Sequence, residues 1–118
     1  MIKQKVTEYH SYFLVETRLT FTKKEAKAFD LDKNLKRKVM AIINRYKREN
    51  VKNRNFSSLI YTLKSMESLF KNISAYPSGV LFCVYYNYAY IDRKYIILNK
   101  QKAFAEEIKN KIKASIDA

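Results

Sequence analysis

An α+β domain, a small antiparallel sheet with helices packed against it, is the fold this sequence predicts, and three observations predict it. A stretch of alternating apolar and polar residues near the N-terminus has the period of a strand. A later run, GVLFCVYYNYAYI from Gly79, is apolar or aromatic on both faces, as a central strand is. Elsewhere the apolar residues fall three and four apart, the spacing of helices that bury one side. The 118 residues have the length of a single domain, 1–118, and the 47% that are hydrophobic suffice for a core. One Gly and one Pro leave few sites for turns that need positive φ, so long elements with short connections are expected.

The elements follow in order. Between Tyr12 and Phe21, Phe13, Val15, Leu19 and Phe21 share a face with Thr17, and Glu16, Arg18 and Thr20 take the other. This is a half-buried strand. Thr22 and Glu25 form a capping box for a short helix, and Asp30 or Asp32 restarts the chain into a second. In that second helix Leu35, Val39, Ile42 and Tyr46 cluster on one side, with Ile43 at the margin. Arg37, Ala41, Asn44 and Arg48 lie opposite, Lys36 and Lys47 occupy one flank, and Lys38 and Arg45 the other. From 55 to 71, Phe56, Leu59, Ile60, Leu63, Met66 and Phe70 match a helical stripe that Asn55 can cap, while 64–76 reads as helix or strand. Tyr76-Pro77-Ser78-Gly79 is the clearest turn. Asp92-Arg93 is expected to turn a hairpin over 80–99, with KYIILN as its return strand. Phe104, Ile108, Ile112 and Ile116 mark a C-terminal helix, on which Glu107 is spaced to pair with Lys111.

The charge distribution bears on function. Net charge is +13, and residues 34–55, NLKRKVMAIINRYKRENVKNRN, hold eight Lys or Arg and one acid, Glu49. Within that helix the one helpful pairing is Arg45 with Glu49. The C-terminal helix mixes Glu106 and Glu107 with its lysines and reads as a solvated face, whereas the second helix presents a cationic face. Surfaces normally mix both signs, so this face suits a polyanion, nucleic acid above all. Candidate contacts are Lys36, Arg37, Lys47 and Arg48 on the helix, and Lys52 and Arg54 in the loop after it. Tyr88, Tyr90 and Tyr95 are candidates for stacking on bases, and Tyr86 is read as a half-buried strand residue.

Other chemistries find little support. One His and one Cys, far apart, make no metal set, and one Gly cannot build a phosphate loop. Cys83 lies in VLFCVYY, where a thiol is expected to be buried and inert. His10 reads as a surface or strand-end residue, not a base. No cofactor and no metal are expected. Metal-independent RNA cleavage stays open, because Lys, Arg, Tyr, His and Glu can supply its acid, base and cation, but no catalytic residue can be named. The N-terminus lacks the apolar core of a signal peptide and no run approaches a membrane span, so a soluble cytoplasmic protein without membrane attachment is expected.

Two segments, LTFTKKEAKAFDLDKNLKRKVMAIINRYKREN at 19–50 and SGVLFCVYYNYAYIDRKYIILNK at 78–100, cover about half the chain. Their order of strand, two helices and apolar hairpin resembles the RelE/HigB-like toxin superfamily of ribosome-associated mRNA interferases. The resemblance implies a curved antiparallel sheet with helices on one side, RNA on the ribosome as target, metal-independent endoribonuclease activity and an antitoxin partner. Members typically carry Gly-x-aromatic-Arg-hydrophobic-x-Tyr after the turn. Here Phe82 stands at the Arg position, which implies a rearranged or absent cleavage apparatus. A different class of reading fits the same charge: a non-enzymatic phage- or plasmid-encoded inhibitor that binds a host enzyme or its nucleic-acid channel.

Overall fold

The computed structural model describes residues 1–51, 56–62 and 79–117. Its elements are β1 (Ile2–Glu8), β2 (Tyr12–Thr20), α1 (Lys23–Leu31), α2 (Lys33–Val51), β3 (Phe56–Thr62), β4 (Gly79–Asn87) and α3 (Lys94–Asp117). A short 3-10 helix, Tyr88–Arg93, leads into α3. The four strands form one sheet in the order β1-β2-β4-β3, with every neighbouring pair antiparallel. The fold is α+β, as the sequence predicts.

The period of two in β2 decides which face the helices cover. Phe13, Val15, Thr17 and Leu19 are buried, and their partners across the ladder are Tyr86, Val84, Phe82 and Val80, all buried in turn. Paired residues of an antiparallel ladder share a face, so these eight form the floor of the core. Leu35, Val39, Ile42, Ile43 and Tyr46 of α2 and Ile97, Phe104, Ala105, Ile108 and Ile112 of α3 close it from above. The Tyr46 ring lies edge-on to Phe82 and Phe104, at centroid distances of 4.9 and 5.2 Å. Each such side chain contributes on the order of 1.5–3 kcal/mol when fully buried.

Local signals set the helix boundaries. The Thr22 hydroxyl accepts the Glu25 amide at 3.1 Å and the Glu25 carboxylate accepts the Thr22 amide at 2.8 Å, completing the capping box. Asp32 ends α1 by donating its amide to the Ala28 carbonyl, and it also starts α2. One carboxylate oxygen of Asp32 accepts the Asn34 and Leu35 amides, and the other accepts the Ser115 hydroxyl of α3. The restart residue is therefore Asp32 and not Asp30.

Three expectations change. KYIILN is not a return strand: the chain after β4 turns through the 3-10 helix, capped where the Asn87 side chain accepts the Ala89 amide, and enters α3 at Lys94. Ile97, Gln101 and Phe104 are all buried at spacings of four and three, so the core stripe of the last helix begins about two turns before Phe104, where the sequence reading starts it. Residues 56–62 are a strand on the edge of β4, where the sequence suggests a helical stripe. β1 is an additional edge strand with two apolar residues, Ile2 and Val6, held by its ladder to β2. The Tyr76-Pro77-Ser78 turn residues and the choice between helix and strand at 64–76 lie outside the described residues.

Candidate nucleic-acid interface

The helix α2 has two faces because its apolar residues recur at helical spacing and its cations fill the remainder. With Leu35, Val39, Ile42, Ile43 and Tyr46 turned into the core, Lys36, Arg37, Lys38, Ala41, Asn44 and Arg48 stand exposed. Arg37 and Arg48 lie on the line opposite the core, eleven residues apart, a separation of about 16 Å at helical rise. Ala41 and Asn44 between them are small, so a partner can approach the backbone closely. Neither Arg37 nor Arg48 makes an ion pair among the described residues. A guanidinium in that state keeps its planar fork of donors available for a phosphate.

The flanks differ from this central line. Lys36 leans toward α1, its Nζ 5.7 Å from the centroid of the Phe29 ring. Arg45 is half-buried: it forms an ion pair with Glu107 of α3 and lies 4.9 Å over the Phe104 ring. Glu107, expected to pair with Lys111 on its own helix, instead ties α3 to α2. The Glu49 side chain, the expected partner of Arg45, lies outside the described set. Lys47 sits on the last turns of α2, and its side chain also lies outside that set, as do Lys52 and Arg54 entirely.

The three candidate tyrosines lie at the junction of β4 and α3 and not on a hairpin. Tyr88 and Tyr95 are exposed, Tyr95 at 67%. Tyr90 is half-buried, with the Arg93 guanidinium 5.2 Å over its ring, and the Lys94 ammonium lies 5.3 Å over Tyr95. α2 and α3 run antiparallel, as the contacts Asp32–Ser115, Arg45–Glu107 and Tyr46–Gln101 show. The C-terminal end of α2, with Arg48, therefore shares an end of the helical layer with the start of α3 and Tyr95, while Arg37 lies toward the other end. Tyr86 is buried, 4% exposed and stacked on Phe13, and burial holds its hydroxyl well above the usual tyrosine range.

A further group of tyrosines escapes sequence reasoning. Tyr9, in the turn between β1 and β2, stacks on Tyr12 at 4.6 Å, and Tyr12 lies 5.8 Å from Tyr85 of β4. Burial and then the neighbouring Cys83, Tyr12, Tyr9 and Glu16 push the Tyr85 hydroxyl up. The one signal available is the spacing of Tyr9 and Tyr12, and it says nothing of Tyr85. Cys83 is buried, its thiol pushed up to about 12 by burial and by Glu16, against the opposing effect of Arg18. His10 is exposed in the turn after β1.

Among the described residues no three His, Cys, Asp or Glu side chains gather as a metal site, and no helix is long and apolar enough to cross a membrane. No protein-family model, curated protein or solved structure matches the chain.

Proposed function

We propose that the protein binds nucleic acid, RNA in the first place, by placing the outer face of α2 against the phosphate backbone. One observation carries this: Arg37 and Arg48 stand exposed on the line of α2 opposite its buried stripe, without an ion pair among the described residues. The resemblance to RelE/HigB-type toxins extends the reading to RNA on the ribosome, with Tyr95 beside the Arg48 end as a stacking residue.

Phe82 favours binding over cleavage. At the position where those toxins carry their phosphate-facing Arg, this ring is fully buried against Tyr46, and a hydrocarbon in the core meets no phosphate. The same observation favours a second reading over a nuclease, that of a non-enzymatic inhibitor in which the cationic face occupies a host enzyme's nucleic-acid channel.

A titration of purified protein against labelled single-stranded RNA and duplex DNA, followed by a gel of the RNA, tests these readings. Salt-sensitive binding with intact RNA is the expected result. Changing Arg37, Lys47 and Arg48 together to Glu is expected to abolish it while circular dichroism stays unchanged. Shortened RNA, in a preparation free of contaminating nuclease, supports an interferase. Binding that survives the triple change overturns the assignment of the α2 face, and absence of binding to either nucleic acid moves the case to a protein partner.

A further inference from the structure

Helices α2 and α3 cover one face of the sheet, and the opposite face carries its own ordered chemistry. Along β2 that face presents Tyr12, Leu14, Glu16 and Arg18, paired across the ladders with Asn87, Tyr85, Cys83 and Leu81 of β4. Lys3 and Lys5 of β1 pair with Arg18 and Glu16 and are exposed. At one end stand the stacked rings of Tyr9 and Tyr12, 43% and 38% exposed, with Tyr85 beside them. At the other end Lys3, Lys5, Glu16, Arg18 and Leu81 line an open depression of about 410 Å³. Tyr12 and Arg18 are six residues apart on one strand, a run of about 20 Å.

Exposed aromatics on a sheet, followed by cations along the same face, make a surface for unpaired bases and their phosphates. A large tyrosine pair left 43% and 38% open to water is a ready-made end of a stack, and a base can extend it. Among the described residues the surface carries Lys3, Lys5 and Arg18 against one acid, Glu16, so its charge is complementary to a polyanion.

We propose that this face, opposite the one α2 and α3 cover, is a second nucleic-acid surface, on which Tyr9, Tyr12 and Tyr85 stack bases of a single strand of RNA whose phosphates run toward Lys5, Lys3 and Arg18. It rests on the reading that the ligand is nucleic acid, but not on α2. The two surfaces look out from opposite sides of the molecule, so variants in one leave the other intact.

The test compares a labelled oligouridine with an abasic strand of the same length, which keeps the phosphates and lacks the bases. Tyr12→Ala and Tyr9→Ala are expected to weaken oligouridine binding about tenfold or more. They leave abasic-strand binding unchanged, and Tyr12→Phe binds oligouridine as the wild type does. Tyr9 lies in the turn, outside the ladder, so its removal spares the strand pairing; urea midpoints check that every variant is folded. Oligouridine affinity unchanged in both alanine variants overturns this proposal and leaves the α2 reading standing. Equal losses on both strands overturn it as well, because the rings would then not be reading bases. Loss in the tyrosine variants without loss in an Arg37→Glu, Arg48→Glu variant supports this face and overturns the α2 face. A wild-type protein that binds neither strand overturns both.

Discussion

The buried polar cluster around Gln101 gives the sharpest prediction about the fold. Gln101 and Thr17 are both fully buried. The Thr17 hydroxyl donates to Gln101 Oε1 at 2.7 Å and accepts from Gln4 Nε2 at 2.9 Å. Gln101 Nε2 donates to the Val15 carbonyl at 3.2 Å and to the Tyr46 hydroxyl at 3.1 Å. Every polar atom of the Gln101 side chain is thus used, and the amide joins α3, α2 and β2 at one point. Gln101→Met keeps the length and most of the volume, so the cavity cost is small; the Val15 carbonyl and the Tyr46 hydroxyl each lose a donor, and the Thr17 hydroxyl is left buried without its acceptor. That orphaning costs about 1–3 kcal/mol. Thr17→Val alone strands Gln101 Oε1 at a similar cost of about 1–3 kcal/mol. In the double variant neither orphan exists, and its destabilisation should fall short of the sum of the singles by about 1–2 kcal/mol. Urea denaturation at constant m measures all three. Simple additivity of the two changes would refute the claim that these groups satisfy one another.

Other consequences follow from single contacts. Asp32 has its carboxyl held below the ordinary value, first by the Leu35 amide and then by the Ser115 hydroxyl, the Asn34 amide and Lys38, with desolvation opposing. Its contribution is therefore present at neutral pH and disappears as pH falls through the carboxyl range. The urea midpoints of wild type and Asp32→Ala should differ at neutral pH and converge in acid, with Asp32→Asn in between. Cys83 should resist thiol reagents in the native protein and react promptly once urea unfolds it, because burial holds the thiol at about 12. Breaking the Arg45–Glu107 pair should cost well under about 1 kcal/mol, since both side chains stay partly open to solvent, and a double-mutant cycle reads the coupling.

Sequence and structure agree where a local pattern contains its own answer. The Thr22 and Glu25 box, the two faces of α2 and the doubly apolar β4 are each decided within a few residues. The last helix is different, because its stripe passes through Gln101, a polar residue that breaks the apolar period. Its burial depends on Thr17, Tyr46 and the Val15 carbonyl, which come from distant parts of the chain. Without that knowledge the β-branched pair Ile96-Ile97 reads as a strand. Phe56, Leu59 and Ile60 fit a helix by spacing, and pairing with the free edge of β4 makes them a strand instead. β1 has too little apolar pattern to declare itself and exists through its ladder with β2. At the surface the same division holds. The cations of α2 were legible because one period places both the core and its opposite. The Tyr9, Tyr12 and Tyr85 group was not, because only the register of β2 with β4 brings it together.

The central claim is that Arg37 and Arg48 hold phosphates, and the salt dependence of RNA binding tests it most directly. On a single strand each phosphate contact contributes about 0.7 to the slope of log K against log salt. Replacing Arg37 and Arg48 together by Gln should weaken binding at low salt and flatten the slope by about 1.4. A variant that keeps the wild-type affinity and slope would show that the outer face of α2 is only a solvated surface.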